Sequence, residues 1–190
     1  MSAAISFHKL ALSPILLGLK NAHHFISKGQ AYVAAQNHDA NDYLTARLRP
    51  DMLDFTAQVY RFTDHAKFIP GRVNPENPTL PQPDVEKTFP ELLDRISKTV
   101  EFLESIDEKS FEGKEGQKYT QILGGGKVKI EWTAIEYVTL FAHPNFWFHI
   151  VTAYDILRMK GVDLGKPDYI NGAGLIKMER VESSEDKPQA

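Results

Sequence analysis

The sequence contains no cysteine among its 190 residues. That absence excludes disulfides, thiolate metal sites, iron–sulfur clusters and a cysteine nucleophile together. A surplus of positive charge is also missing: 22 Lys and Arg stand against 25 Asp and Glu, for a formal net charge of −3. The nearest thing to a basic stripe is Arg47, Arg49, Arg61, Lys67 and Arg72, and it is interleaved with Asp51, Asp54 and Asp64. No nucleic-acid partner is expected from such a pattern. Long hydrophobic runs are lacking too. The most apolar stretch, Leu10 to Leu19, falls well short of the about 20 residues needed to span a bilayer. Only Lys9 precedes it as a strong positive charge, and no small-x-small cleavage pattern follows, so it reads as a core helix and not a signal peptide. No membrane association and a cytoplasmic location are the expectations that follow. What is present is ordinary for a folded domain: 42% apolar and 25% charged residues. One domain over residues 1–175 is expected, with a polar tail, 176–190, that reads as disordered.

Apolar residues recur with a helical period in four segments. In the first, from about Leu10 to Lys28, Ile15, Leu16, Leu19, Ala22, Phe25 and Ile26 share a face; Ser13-Pro14 suggests a start and Gly29 a stop. The second opens near Pro50-Asp51 and carries Met52, Phe55, Val59, Phe62, Ala66 and Ile69 as a bundle seam, ending at Pro70-Gly71. A connection with five prolines, Pro70 to Pro83, leads to the third, from Asp84 or Lys87 to Ile106. Thr88 and Glu91 have capping-box spacing there, while Glu91, Arg95 and Lys98 read as exposed-face charges. The fourth runs from Ala134 to Lys160 with an interruption expected at His143-Pro144. Between the last two, the period changes to two on either side of Gly124-Gly125-Gly126, which predicts a β-hairpin. The glycines lack the GK[ST] ending of a phosphate loop.

Bundle proteins place their chemistry on facing helices, so polar residues on apolar faces are the candidates. The last helix offers Asn145, His149 and Thr152 within an apolar, aromatic run. A half-buried imidazole there is held neutral and is able to act as base or ligand. His149 is the candidate acid/base, Asn145 its orienter or an oxyanion donor, and Tyr154 a proton donor, with Tyr137 as a second phenol. Gln58 and His65 flank the seam of the second helix, and His24 lies on the first. Together with Trp147 and Thr152 these are the candidate substrate-binding residues, and the Phe146-Trp147-Phe148 wall suits an apolar or aromatic substrate. If a divalent metal such as Zn or Ni were held, His24, His65 and His149 would be its ligands, but no HExxH, ExxH or HxxxH motif supports it.

Three stretches together resemble a known family. They are Thr45-Ala46-Arg47-Leu48-Arg49-Pro50-Asp51-Met52 with Gln58-Val59 and Asp64-His65-Ala66-Lys67; Glu86-Lys87-Thr88-Phe89-Pro90-Glu91-Leu92 with Arg95-Ile96; and Pro144 to Ile150 through Tyr154 and Arg158 to Gly161-Val162-Asp163-Leu164-Gly165-Lys166-Pro167-Asp168-Tyr169. This pattern resembles the DUF1993 family, which is similar to the DinB/YfiT-like four-helix bundles. The resemblance implies an all-α DinB-like four-helix bundle with a small inserted β-hairpin before the last helix. It also implies homodimers and, in many DinB-like proteins, a three-histidine metal site used for thiol transfer or hydrolysis, with an H-x-x-x-H pair on the last helix. Here His149 has Asn145 before it and Ala153 after it at that spacing, so the pair is broken. The resulting expectation is a small-molecule-binding bundle without a cofactor, open to metal-independent catalysis by the His149, Asn145 and Tyr154 cluster on an apolar or aromatic substrate, with a metal-dependent transferase or hydrolase and a non-catalytic dimeric scaffold as alternatives.

Overall fold

The computed structural model describes residues 5–179, so the expected disordered tail lies almost wholly outside the described residues. Its one described part, 176–179, includes Ile176, whose backbone N–H and carbonyl both bond the Asn171 side chain.

Four long helices form the bundle: α1 (Phe7–Ala35), α3 (Phe55–Lys67), α5 (Phe89–Glu104) and α7 (His143–Met159). Short helices α2 (Asn41–Leu44) and α4 (Ile69–Val73) flank α3, and α8 (Lys166–Asn171) follows α7. Helices α1 and α3 each pack against both α5 and α7, which makes α1 and α3 diagonal partners. The core between them is a continuous apolar cluster including Leu12, Leu19, Phe25, Phe55, Phe62, Ile96, Phe146 and Ile150.

Helix α1 is longer than its local signals suggest. Ser6 is the N-cap, its hydroxyl accepting from the Lys9 N–H, and Pro14 sits inside the helix. The carbonyl that Pro14 leaves without a helical partner belongs to Leu10, on the exposed side of α1. Gly29 does not stop the helix. It is buried against Leu157, whose Cδ1 would lie 3.1 Å from a Cβ at that position, so the residue is small to let α7 approach. Helix α3 begins at Phe55, later than the Pro50-Asp51 signal, because Asp54 caps it by accepting from the Ala57 N–H. The capping box of Thr88 and Glu91 starts α5 as the spacing suggests.

The hairpin is an antiparallel pair, β1 (Lys118–Leu123) and β2 (Val128–Thr133), with Leu123 opposite Val128. All three turn glycines have positive φ, a region that L-residues with a Cβ avoid. Its inner face presents Tyr119 and Trp132, directly opposed across the strands, to Tyr137 and Phe141. Thr133 and Glu136 then form a second capping box at α6 (Ala134–Glu136). The interruption expected at His143-Pro144 takes the form of a change of helix type and not of a loop. Residues Tyr137–Ala142 wind as a π-helix that runs directly into α7, and the His143 N–H reaches back to the Val138 carbonyl. The wider turn moves the carbonyl that would clash with the proline ring, so Pro144 is accommodated in the first turn of α7. Among the described residues no helix is long and apolar enough to cross a membrane.

The connection from Asn74 to Thr88 is fixed by Arg95, whose side chain is completely buried. Its Nε donates to Thr63 Oγ1 at 2.7 Å, and its two terminal nitrogens reach the Pro83 carbonyl, Asp64, Asp84 and Glu86 at 3.0 to 3.1 Å. The guanidinium also stacks over Tyr60, 4.8 Å from the ring centre. Arg95 is therefore not an exposed-face charge, as its spacing from Glu91 suggests, and Asp64 is not a solvated one. Lys67 adds a bond to Asp64 at 2.8 Å and one to the Gln82 carbonyl at 3.0 Å. The network ties the proline-rich strap across α3 and α5.

Candidate binding site between helices α3 and α7

Three of the sequence candidates meet where α3 crosses α7. Gln58 is buried, and its amide is oriented by its own backbone surroundings: Nε2 donates to the Leu53 carbonyl at 3.0 Å. That leaves Oε1 facing α7, where it lies 2.7 Å from His149 Nδ1. A carbonyl oxygen only accepts, so Nδ1 of His149 carries the proton and Nε2 keeps a lone pair. The His65 ring lies almost parallel to that of His149, with centroids 5.7 Å apart and 11° between planes. Its Nδ1 is buried and has no hydrogen-bond partner among the described residues.

Both imidazoles are held neutral. His65 is pushed down to about 4, first by burial and then by the adjacent His149 and Arg72, with Asp64 opposing. His149 is pushed down to about 4 by burial and then by Arg61. Aromatic rings pack against the pair. Phe141 meets His65 edge-on at 5.7 Å and Phe148 meets His149 edge-on at 5.2 Å. Phe141 is placed there by the π-helical turn, and it in turn contacts Trp132 of the hairpin. Arg72 closes this side, donating to Tyr137 Oη at 2.7 Å and lying over the rings of Phe68, Tyr119 and Tyr137. Burial drives the Tyr137 phenol up to about 12, against the pull of Arg72, so it stays protonated.

The other candidates are placed elsewhere. Asn145 shares the His149 side of α7, but its Nδ2 donates to the Phe141 carbonyl at 2.7 Å and it does not orient the imidazole. Thr152 is buried and donates to the Phe148 carbonyl at 2.8 Å. Tyr154 is five residues beyond His149, about 140° around the helix, and packs edge-on against Phe25 and Tyr169. Trp147 packs against Phe146 and α1, where its ring would lie 2.9 Å from a Cβ at Gly18. His24 bonds Asp168 through Nε2 at 3.1 Å, and Lys28 reaches the same carboxylate oxygen at 2.9 Å. The reading of the sequence missed Arg61, Arg72 and Phe141 as neighbours of the imidazoles. The only signal for Phe141 was the Pro144 that follows it.

The donor set does not fit a resident metal. Among the described residues no group of three or more His, Asp or Glu side chains is arranged to hold one. His24 is committed to Asp168, and the position one turn past His149 is Ala153, which is fully buried. The stacked His65 and His149 supply two imidazoles and no third ligand.

No curated protein matches the chain. A crystal structure of a DinB family member protein from Shewanella denitrificans is similar to it, with 30% sequence identity and a TM-score of 0.80 over 92% of this chain and 95% of that one. The model of a domain of unknown function, DUF1993, matches residues 7–170, and the chain belongs to that family.

Proposed function

We propose that this protein binds a small molecule without a metal, at the Gln58–His149–His65 cluster. The observation that carries the reading is the Gln58 carbonyl at His149 Nδ1, which fixes one tautomer and leaves Nε2 as a neutral acceptor. The unpartnered Nδ1 of His65 is a second polar atom awaiting a contact. With Phe141 and Phe148 as walls, the arrangement suits a flat apolar or aromatic molecule bearing a hydroxyl or another hydrogen-bond donor. It suits recognition better than general-base catalysis. A base works best with a pKa near the working pH, and His149 is held well below it. Asn145 and Tyr154 are also not positioned to complete a reacting centre around it.

Titration of the full chain with phenols and matched anisoles, followed by protein-observed NMR, tests this. Phenols should shift resonances of Gln58, His65 and His149 saturably, anisoles should not, and His149→Ala should abolish the effect while keeping a cooperative unfolding transition. Binding that ignores His149→Ala, or no binding by either series, rejects the proposal.

A second reading, a homodimer, is favoured by the outer face of the last helix. Leu140, Phe148, Val151 and Met159 are between 41% and 64% exposed and fall on one helical stripe beside the site. Phe148→Glu should convert a dimer to a monomer in light-scattering measurements; a wild-type monomer at all concentrations removes this reading.

A further inference from the structure

On the other side of α1, away from the His65–His149 pair, a cavity of about 540 Å³ lies between α1, α5 and the segment after α8. It is built, and not an accidental gap. Buried Asn21 pins the returning segment twice, donating to the Ile170 carbonyl at 2.8 Å and accepting from the Ala173 N–H at 3.0 Å. Gly172 lets that segment press on the His24 ring, whose Cδ2 would lie only 2.5 Å from a Cβ there. One wall is apolar, formed by Ile96 and Val100 of α5 and by Leu175; the facing stripe of α1 is polar, with Lys20, His23, His24 and Ser27.

The hydrogen-bond inventory of that stripe gives the site a sign. The Ser27 hydroxyl spends its proton on the His23 carbonyl at 2.8 Å, so its oxygen is left to accept. Burial alone would push the Asp168 carboxyl up, but bonds from the Gly165 N–H, Lys28 and His24 outweigh it and hold it below the usual range, hence ionised. An ionised carboxylate only accepts, so His24 donates through Nε2. Lys20 is engaged with Glu104 at 2.6 Å. His23 is held below its ordinary value by burial and then by His24, so it is neutral. His23 and Ser97 add neutral polar groups to the lining. Glu101 is the lining charge that has no ion-pair partner among the described residues.

We infer that this cavity binds a small organic cation, an ammonium carried on an apolar body. The ammonium meets the Glu101 carboxylate and the Ser27 oxygen, and the apolar body lies along Ile96, Val100 and Leu175. The site is independent of the one between α3 and α7. No carboxylate ligand fits as well, because Lys20, the only cation in the lining, already has its partner.

Titration of the full chain with hexylammonium and, separately, with hexanoate distinguishes the two signs by protein-observed NMR. Hexylammonium should shift the amides of His24, Ser27, Glu101 and Leu175 saturably, and hexanoate should leave them in place. Exposed Glu101 tolerates replacement, and Glu101→Gln should weaken hexylammonium binding at least tenfold. His149→Ala should leave this binding within twofold of wild type whether or not the α3–α7 site proves to bind phenols. The inference is overturned if hexanoate shifts the same amides as strongly, if Glu101→Gln binds hexylammonium within twofold of wild type, or if no saturable shift occurs.

Discussion

The stacked imidazoles make acid a specific destabiliser of this fold. In the unfolded chain a histidine titrates near 6.5, whereas His65 and His149 in the folded chain are held down to about 4. The folded-state value is the lower one, so between those two values the unfolded state binds more protons. The stability tied to the pair is complete above about pH 6.5 and is lost as the pH falls through 4. At pH 5, linkage gives about 2 kcal/mol for one histidine shifted this far and about 4 kcal/mol for two independent ones. Partial solvent access at His149 and the sharing of one site by both rings reduce this to roughly 2–3 kcal/mol for the pair. For a domain of this size that corresponds to a fall in melting temperature of about 4–12 °C. His143 and His23 are shifted in the same direction by burial, so the total acid sensitivity is larger than the pair's share. The measurement is therefore a comparison. Urea unfolding at pH 7 and pH 5 is run on wild type and on a His65→Phe, His149→Phe double variant, and the difference in pH sensitivity between them is read. Carbon-detected titration of the imidazole Cε1 resonances gives the folded-state values directly. Resonances of both rings moving near pH 6.5 in the folded protein would refute the reasoning, as would a double variant as acid-sensitive as wild type.

Two further predictions concern the frame that carries the site. Arg95→Met removes the buried guanidinium that joins Asp64, Asp84 and Glu86, leaving Glu86 without its ion pair and Asp64 and Asp84 with Arg61 and Lys67 alone, and should cost about 3–5 kcal/mol in chemical unfolding, with faster proteolysis between residues 74 and 88; a loss under about 1 kcal/mol would mean that the strap is held by other contacts. Gly18→Ala should lower stability by about 1–3 kcal/mol in thermal unfolding, because its Cβ would lie 2.7 Å from Phe146 Cε1. In an open helix the same change gains up to about 1 kcal/mol, so a stabilised variant would show that the Phe146 and Trp147 rings yield freely.

Much of the fold is legible because the seams are periodic. Met52 to Ile69 and Phe89 to Leu103 step by threes and fours, and the structure buries nearly all of those positions. The ends are less legible, since a local stop or start can be overruled by packing. Pro14 is tolerated because the solvent side of α1 absorbs its missing hydrogen bond, and Gly29 is needed for the approach of Leu157, not for a cap. Arg95 shows the same limit for charge. Its spacing from Glu91 fits a solvated pair, and only the return of the proline-rich strap brings Pro83, Asp84 and Glu86 over it.

The site follows the same logic. His149 and Gln58 stand out as polar residues on apolar faces, and that signal survives because burying a polar group needs a partner, which each supplies to the other. Asn145 and Tyr154 look equally suitable on paper, but a helix turns by about 100° per residue, and each finds a local partner before it can reach Nε2 of His149. What periodicity could not carry is the π-helical turn. Pro144 announces that the α-register must change, and the change expressed is a widened turn, which carries Phe141 against His65. The aromatic wall of the candidate site and the accommodation of Pro144 are thus one event. A Pro144→Ala chain, free to return to an α-register, should rotate Phe141 away from His65 and raise the value at which His65 titrates, and an unchanged His65 titration would separate the two.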